Sequence, residues 1–275
     1  MSRPLIAIDI GITNIDLIIQ ERADKHFYTF ANPGGSAREQ VEQAIANVDD
    51  VLKSDPVIGV TGGRYRALEE TVLGLKIIKV DEMQALGLGG LAMTELDSGL
   101  VVSAGTGAAM VAARGNSVEH VTGSAVGGGT LIGLSKLLLN IDNPEKIDRL
   151  ALQGDASSVD IMLTEAVGGE VGRLPSDANA VNLGKLGQET AFERTDLAAG
   201  LVRLVAQVIA VIAINASDAA GLSDIIMVGH LMDLESIQKE IHLVGKFYQR
   251  TFTIPQNPGF GTAMGVISIL KNSQR

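Results

Sequence analysis

The sequence predicts an α/β protein, and three observations support that fold class. Short runs rich in Ile and Val, such as LIAIDIG at 5–11 and SDIIMVGH at 223–230, are predicted to be buried strands. Segments whose apolar residues recur at helical spacing separate these runs. Several of the strands end in glycine, which is typical of tight turns. Strands that alternate with helices in this way are characteristic of α/β folds.

The first third of the chain begins with a predicted hairpin. LIAIDIG and IDLIIQE form its two strands, joined by a short turn that contains glycine. The elements that follow are a helix (37–54), a strand ending in two glycines (56–63), a strand (75–82) and a helix (83–96). We place a boundary at the end of this region, with an N-terminal lobe over 1–95 and a C-terminal lobe over 96–275.

The C-terminal lobe repeats the opening pattern. GLVVSAGTGAAMVAAR at 99–114 predicts a second hairpin, now with a Gly-Thr-Gly turn. A long apolar helix is expected over 196–220, and Arg203 and Gln207 within it favour a buried helix over a membrane span. The remaining predicted elements are a helix that ends at Gly154, a strand at 223–230, a helix at 234–249 and a helix within 259–270.

Composition narrows the classes of function. The chain has 275 residues, 46% of them hydrophobic, which is enough for a sizeable core. Its formal charge of −10 argues against a nucleic-acid surface, because phosphate contacts need clustered Lys and Arg. The absence of cysteine excludes disulfides, thiolate metal sites and iron–sulfur clusters. With no targeting segment or membrane span evident, we expect a cytoplasmic protein that binds small molecules.

The first glycine hairpin is a candidate phosphate-binding loop. Asp9 ends the first strand, Gly11 lets the backbone turn closely, and Thr13 adds a hydroxyl at the bend. Main-chain N–H groups of such a hairpin bind a polyphosphate, while the carboxylate holds hydrated Mg²⁺. The alternative for an isolated match is a structural hairpin in which the aspartate forms an Asx turn.

The second hairpin has the same design, with Gly105, Thr106 and Gly107 at its turn. Near the end of the chain Gly229 terminates a strand, and a flat adenine ring can approach it because glycine has no Cβ. Each feature alone could be structural. Their order along the chain, two hairpins followed by a strand that ends in glycine, favours a nucleotide site.

A set of short motifs extends through most of the chain. They are DIGITN (9–14), VTGG (60–63), KVDEMQALGLGG (79–90), SAGTG (103–107), HVTGSAVGGGTLIGLSKLL (120–138), LALQGD (150–155), AVGG (166–169) and GFGTAMGVISIL (259–270). Together they resemble type II pantothenate kinases, a family of the actin, sugar-kinase and Hsp70 superfamily. The resemblance implies two RNase H-like, actin-like ATPase lobes with Mg·ATP in the cleft between them.

The resemblance also implies which residues bind phosphate. In the family the GGGT segment opens a helix against the nucleotide, and here that segment is Gly127, Gly128, Gly129 and Thr130. The first N–H groups of a helix have no partner within the helix and carry partial positive charge, so they bind anions. The alternative is a flexible connector.

Glu82 is implied as the general base. In the family the corresponding glutamate takes the proton from the primary hydroxyl of pantothenate as that oxygen attacks the γ-phosphate. Asp81 beside it is expected to be structural or solvated, and Thr106 matches a hydroxyl residue used near the substrate. The alternative for Glu82 is a cap on the following helix. The product would be 4′-phosphopantothenate, the first committed step toward coenzyme A.

Two positions depart from the family pattern. Asp16 stands where a lysine is usual, which removes a cation from the phosphate site unless a second Mg²⁺ or Lys136 compensates. His120 stands where the family has an arginine for the substrate's carboxylate, and neutral imidazole binds carboxylate weakly. A rebuilt pocket that recruits Arg114 or Arg64 is one explanation. A kinase of another alcohol and a catalytically silent ATP-binding homologue are the others.

Other classes of enzyme fit less well. The sequence has no GxSxG elbow of a hydrolase, no GxGxxG fingerprint after the first strand, and no pair of histidines at the spacing of a zinc site. Activators of 2-hydroxyacyl-CoA dehydratases share the superfamily fold but need cysteines. The apolar helix at 196–220 favours a homodimer, although a monomeric core explains it nearly as well. His230 is expected either to touch the nucleotide or to begin a helix.

Overall fold

The predicted opening hairpin forms and lies inside a six-stranded sheet. The computed structural model describes residues 3–48, 52, 54–172, 174–187 and 191–273. The first sheet consists of β1 (Leu5–Ile10), β2 (Asn14–Glu21), β3 (Asp24–Ala31), β4 (Val57–Gly62), β5 (Thr71–Val72) and β6 (Leu75–Lys79), in the order β3-β2-β1-β4-β6-β5. β1 pairs antiparallel to β2 and parallel to β4, which aligns Asp9 with Asp16 on one side and Thr61 on the other.

The predicted second hairpin lies in a five-stranded sheet. Strands of the C-terminal part are β7 (Ser98–Ala104), β8 (Ala108–Arg114), β9 (Ser117–Ser124), β10 (Ile161–Met162), β11 (Asn179–Val181), β12 (Ile225–Val228) and β13 (Phe252–Thr253). The second sheet has the order β13-β12-β7-β8-β9, and β10 pairs with β11 separately. β12 lies parallel to β7, so the turns that follow these two strands meet at the same edge of the sheet.

Most helices of the described residues fall where the sequence predicts them, and the short helix at 163–167 was not predicted. The helices are α1 (Ala37–Ala46), α2 (Glu82–Thr94), α3 (Gly128–Leu139), α4 (Pro144–Ala151), α5 (Leu163–Val167), α6 (Arg194–Ala219), α7 (Glu235–Tyr248) and α8 (Gly261–Ser273). α1 begins with a capping box in which Ser36 and Glu39 each satisfy the other's backbone N–H. The helix predicted over 37–54 ends earlier, at Ala46, and its positions 49–51 and 53 lie outside the described residues.

Helices α2 and α8 join the two sheets. α8, from the end of the chain, packs on β1 and β4, whereas α2 packs on β7 and β9. The two helices approach closely, since a Cβ on Gly89 would overlap the carbonyl oxygen of Gly261, and one on Gly265 would overlap that of Ala85. The boundary at residue 95 stays a prediction, to which the structure adds that a C-terminal helix covers the N-terminal sheet.

The long helix α6 forms much of the core beside the second sheet. Val202, Val205 and Ile209 are buried there in the largest apolar cluster of the described residues. Length and composition alone would let α6 cross a membrane, but 61% of its most apolar window is buried inside the protein. These contacts agree with the predicted core helix.

Candidate active site

Strand ends from both sheets surround a cavity of 430 Å³. Its walls come from the β1–β2 turn, the β7–β8 turn, the start of α3 and the segment after β12. Most of the predicted site residues line it, namely Asp9, Gly11, Thr13, Glu82, Gly105, Thr106, Gly107, Gly128, Gly129 and Gly229. The fold therefore brings together residues from the whole length of the chain.

The two glycine hairpins face each other across this cavity. The hydroxyl oxygens of Thr13 and Thr106 lie 2.9 Å apart. The Asn32 side-chain amide donates to the Gly11 carbonyl at 2.6 Å, and Gln40 donates to the Asn32 side-chain oxygen at 2.8 Å. This network fixes the first turn, and sequence reasoning missed it because Asn32 belongs to no recognisable motif.

Phosphate binding by the GGGT segment stays a prediction, and the start of α3 shows a second role for its glycines. The N–H groups of Gly128 and Gly129 donate to the carbonyl oxygens of Gly105 and Thr106, at 2.8 and 2.9 Å, so these two donors already have partners in the second hairpin. A Cβ on Gly127 would lie 2.7 Å from the Cα of Gly107. The glycines therefore let the helix pack directly on the hairpin that lines the cavity.

The same segment has two residues that do not reach the cavity. Gly127 and Thr130 are not among the described residues that line it. Instead the Thr130 hydroxyl donates to the Ala125 carbonyl at 3.2 Å and accepts from the Gly127 N–H at 3.4 Å, which closes the first turn of α3. Their contribution to the site is to hold the start of the helix.

Gly229 lies where only glycine fits. Its φ is 98°, in the left-handed region, and a Cβ there would overlap the carbonyl oxygen of Ala104. Its N–H donates to the Pro258 carbonyl at 2.7 Å. Glycine is therefore required here by its own backbone conformation and by the close approach of Ala104, and contact with an adenine stays a prediction.

Asp9 is a carboxyl in an unfavourable environment for a negative charge. It lines the cavity at the end of β1, and its side chain hydrogen-bonds to Thr262. Burial, followed by the charges of Asp16 and Glu82, raises the pKa of Asp9 to about 8. The carboxyl is thus poised to release its proton when a cation enters the cavity.

Glu82 is the first residue of α2 and faces the cavity. Asp81, not Glu82, caps that helix, because its carboxylate accepts from the N–H groups of Met83 and Gln84, both at 3.1 Å. The alternative of Glu82 as a cap is therefore wrong, and Asp81 is structural as expected. Burial and then the charge of Asp81 raise the pKa of Glu82, while Arg66 lowers it.

His230 and Asp16 meet across the cleft. His230 Nε2 lies 2.8 Å from Asp16 Oδ1, and its Nδ1 lies 2.7 Å from Asp233 Oδ2. Burial lowers the pKa of His230, but the hydrogen bonds with Asp16 and Asp233 outweigh it and raise that pKa to about 10. Lys136, expected to compensate for Asp16, instead pairs with Asp142 at 2.8 Å and is not among the residues described as lining the cavity.

Of the three predicted substrate-binding residues, Thr106 lines the cavity, whereas Arg114 and His120 lie outside its described lining. Arg114 lies at the far end of β8 from Ala108, which lines the cavity, and its guanidinium donates to the Ala220 carbonyl. His120 is exposed on β9 and is absent from the described lining residues. That Arg114 and His120 contact the acceptor stays a prediction, which the described lining of the cavity does not support. Arg64 donates to the Gly35 carbonyl at 2.8 Å, also outside that lining.

Two sheets that share a cleft, each with a glycine hairpin at its edge, define the class of actin-like ATPases and sugar kinases. An activator of 2-hydroxyisocaproyl-CoA dehydratase from Clostridium difficile, with bound ADPNP, superposes with a TM-score of 0.68 at 13% identity, over 98% of this chain and 97% of that one. A ROK family glucokinase from Streptomyces griseus, in complex with glucose and AMPPNP, gives 0.61 at 14% identity, over 97% and 98%. At this identity the likeness establishes the fold alone.

The sequence comparison identifies the family. The Fumble family model matches residues 92–251, more than half of the chain, and the protein belongs to the Fumble family. It is 25% identical to the type II pantothenate kinase of Bacillus cereus (strain AH820) over 79% of this chain and 82% of that protein. It is 23% identical to that of Oceanobacillus iheyensis over 95% and 98%. The resemblance found in the motifs is confirmed.

Proposed function

We propose that the protein is an ATP-dependent kinase that phosphorylates pantothenate to 4′-phosphopantothenate, the first step of coenzyme A biosynthesis. The observation that carries this proposal is Glu82, a carboxylate beside a cleft walled by two glycine hairpins. Its position at the helix start is not required for capping, because Asp81 performs that role. The names of the curated relatives and the nucleotides bound to the structural neighbours support the same activity.

Glu82 would act as the general base. The carboxylate accepts the proton of the acceptor's primary hydroxyl while that oxygen forms a bond to the γ-phosphorus of ATP. The bond from the γ-phosphorus to the bridging oxygen breaks, and ADP leaves. The raised pKa of Glu82 makes it a stronger base than an exposed glutamate.

Mg²⁺ fits the residues at Asp9. Its carboxyl has a raised pKa from burial and from the charges of Asp16 and Glu82, which is the environment that a divalent cation would neutralise. Among the described residues, no group of three or more acidic or histidine side chains is placed to hold a metal ion, so Asp9 would share the cation with the phosphates of ATP. Bound there, Mg²⁺ would offset negative charge on the phosphates.

Thr13 and Thr106 would bind the nucleotide phosphates. Their hydroxyls meet from opposite hairpins, where one donates to the other, and the hydroxyl that accepts keeps its own proton to donate to a phosphate oxygen. Gly229 would lie against the adenine, and Gly11, Gly105 and Gly107 allow the backbone of the hairpins to come close.

A kinase of an uncharged alcohol is a second candidate, and a specific observation favours it. The described lining of the cavity contains no Lys or Arg to bind a carboxylate, and Arg114 and His120 lie elsewhere. Arg66, which pairs with Asp81 at 3.5 Å, is near enough to Glu82 for its charge to lower the pKa of that carboxyl. An acceptor with a carboxylate would therefore reach toward Arg66, whereas a neutral one needs no cation.

An assay of ADP release tests both candidates. Purified protein is mixed with Mg·ATP and with pantothenate, pantetheine or a sugar alcohol in turn. We expect pantothenate-dependent turnover that falls at least a hundredfold in Glu82→Gln, as loss of a general base does. Glu21→Gln, an exposed residue at the end of β2, is the matched control. Turnover with neutral alcohols alone would replace the first candidate by the second, and ATP binding without turnover would indicate a silent homologue.

A homodimer and a cytoplasmic location are part of the proposal. Leu204, Val208 and Ile212 form a half-buried stripe along α6, in line with a helix that has apolar residues on more than one side. Light scattering coupled to gel filtration would measure the mass in solution. A single-chain mass at micromolar concentration would refute the dimer.

A further inference from the structure

His230 lines the cavity and is held by carboxylates on both sides. It follows Gly229, and its side chain is 28% exposed. Its Nε2 lies 2.8 Å from Asp16 Oδ1 on β2, and its Nδ1 lies 2.7 Å from Asp233 Oδ2, both within hydrogen-bond distance. Asp16 also accepts from the Thr29 hydroxyl at 2.7 Å, so its carboxylate is fixed from a second direction.

The two hydrogen bonds define the charge of the ring. A neutral imidazole has one N–H donor and one acceptor, whereas an ionised carboxylate only accepts. Both bonds to carboxylates are therefore made together only when both ring nitrogens of His230 carry a proton. The imidazolium is the form that matches this geometry.

The ring is also fixed by packing. A Cβ on Gly259 would overlap the imidazole, so the backbone of that glycine lies directly on the ring. The ring of Phe260 meets it edge-on, with 6.0 Å between the centroids. The contacts with Gly259 and Phe260 thus hold the imidazole ring of His230 in one position.

His230 is the one basic residue among the described residues that line the cavity. Asp9, Asp16 and Glu82 line the same cavity, so without His230 its polar wall would repel a polyanion. Asp16 pairs directly across the β1–β2 ladder with Asp9, which places His230 beside the first hairpin. That is the side on which the phosphates are proposed to bind.

We propose that His230 is the fixed cation of the cleft, an imidazolium between Asp16 and Asp233 whose charge offsets theirs and so reduces the repulsion of the nucleotide's phosphate chain. The proposal rests on ATP binding under the proposed function, but not on the identity of the acceptor. The groups that face the ring are Asp16 from β2, Asp233 from its own turn and, at longer range, Asp9 from β1.

Calorimetry with ATP and adenosine tests the role of the charge. We expect His230→Gln to raise the dissociation constant for ATP about tenfold or more, because one charge near the phosphates is lost. Affinity for adenosine, which has no phosphate, should stay within twofold in the same variant. His230→Lys should recover part of the ATP affinity, and His242→Gln, an exposed histidine on α7, is the matched control.

Several results would overturn the proposal. Equal losses of ATP and adenosine affinity would show a structural role, and unchanged ATP affinity would show no role. Nitrogen NMR of histidine-labelled native protein at pH 8 measures the protonation of the ring. The His230 signals are assigned by their loss in His230→Gln, and both ring nitrogens should be protonated. A neutral ring would contradict the imidazolium. A native protein that binds ATP but transfers no phosphate would overturn the proposed function alone.

Discussion

The Asp9→Asn variant probes the most perturbed carboxyl of the cleft. Asp9 is partly exposed to the cavity, and burial together with the charges of Asp16 and Glu82 raises its pKa from 3.8 to about 8. Between those two values the folded protein keeps a proton that the unfolded chain has lost. The free energy of unfolding therefore falls as the pH rises through this window.

The magnitude follows from the two pKa values. Between pH 5 and pH 8, a pKa shift of this size lowers the free energy of unfolding by roughly 3–4 kcal/mol if it is fully expressed. Because the carboxyl is partly exposed to the cavity, solvent screening reduces this, and we expect roughly 2–3 kcal/mol. Asparagine is nearly isosteric and does not titrate, so the variant should not show this loss.

Guanidinium unfolding at pH 5 and pH 8, without nucleotide or Mg²⁺, measures the effect. The native protein should lose roughly 2–3 kcal/mol more than Asp9→Asn over this interval, so that the variant gains in relative stability at high pH. Taking the difference between the two pH values cancels any change in packing. If the free energy of unfolding changed equally between pH 5 and pH 8 in both proteins, the reasoning about Asp9 would be refuted.

Three further predictions concern the surroundings of Glu82 and the junction of the sheets. Asp81→Asn keeps a capping side chain but removes a charge that raises the pKa of Glu82. The acidic limb of the pH–rate profile should therefore move to lower pH. An unmoved limb would show that the charge of Asp81 does not affect Glu82. Arg66→Gln should raise KM for pantothenate several-fold and leave KM for pantetheine unchanged, and equal effects on both would argue against charge recognition. Gly265→Ala should lower the free energy of unfolding by about 2 kcal/mol, because the new Cβ overlaps the Ala85 carbonyl; thermal unfolding that matches the native protein would contradict this.

Local elements of this fold could be predicted from the sequence because their causes are local. The strand that contains Asp9 and the hairpin after it depend on β-branched residues and on one glycine turn. The helix after Asp81 follows from its apolar periodicity, although the sequence alone did not identify Asp81 as its cap. The glycine-rich turn at 105–107 likewise connects two strands that pair along their full length.

The features that the sequence did not predict depend on contacts between residues far apart in the chain. Asp16 has its histidine partner 214 residues away, and no pattern near either residue signals the pair. The glycines at 127–129 have the composition of a phosphate loop, but the N–H groups of Gly128 and Gly129 donate to the second hairpin. The packing of α8 on the first sheet could not be predicted from the sequence either, because periodicity predicts a helix without showing which surface it covers.

Mass spectrometry of the reaction product tests the central claim most directly. Native protein and Glu82→Gln are incubated with Mg·ATP and pantothenate, and the acceptor is recovered. The account predicts pantothenate carrying one added phosphoryl group in the native reaction, and at most a trace of it with the variant. Unmodified pantothenate in the native reaction, with ATP bound, or equal product from both proteins, would contradict it.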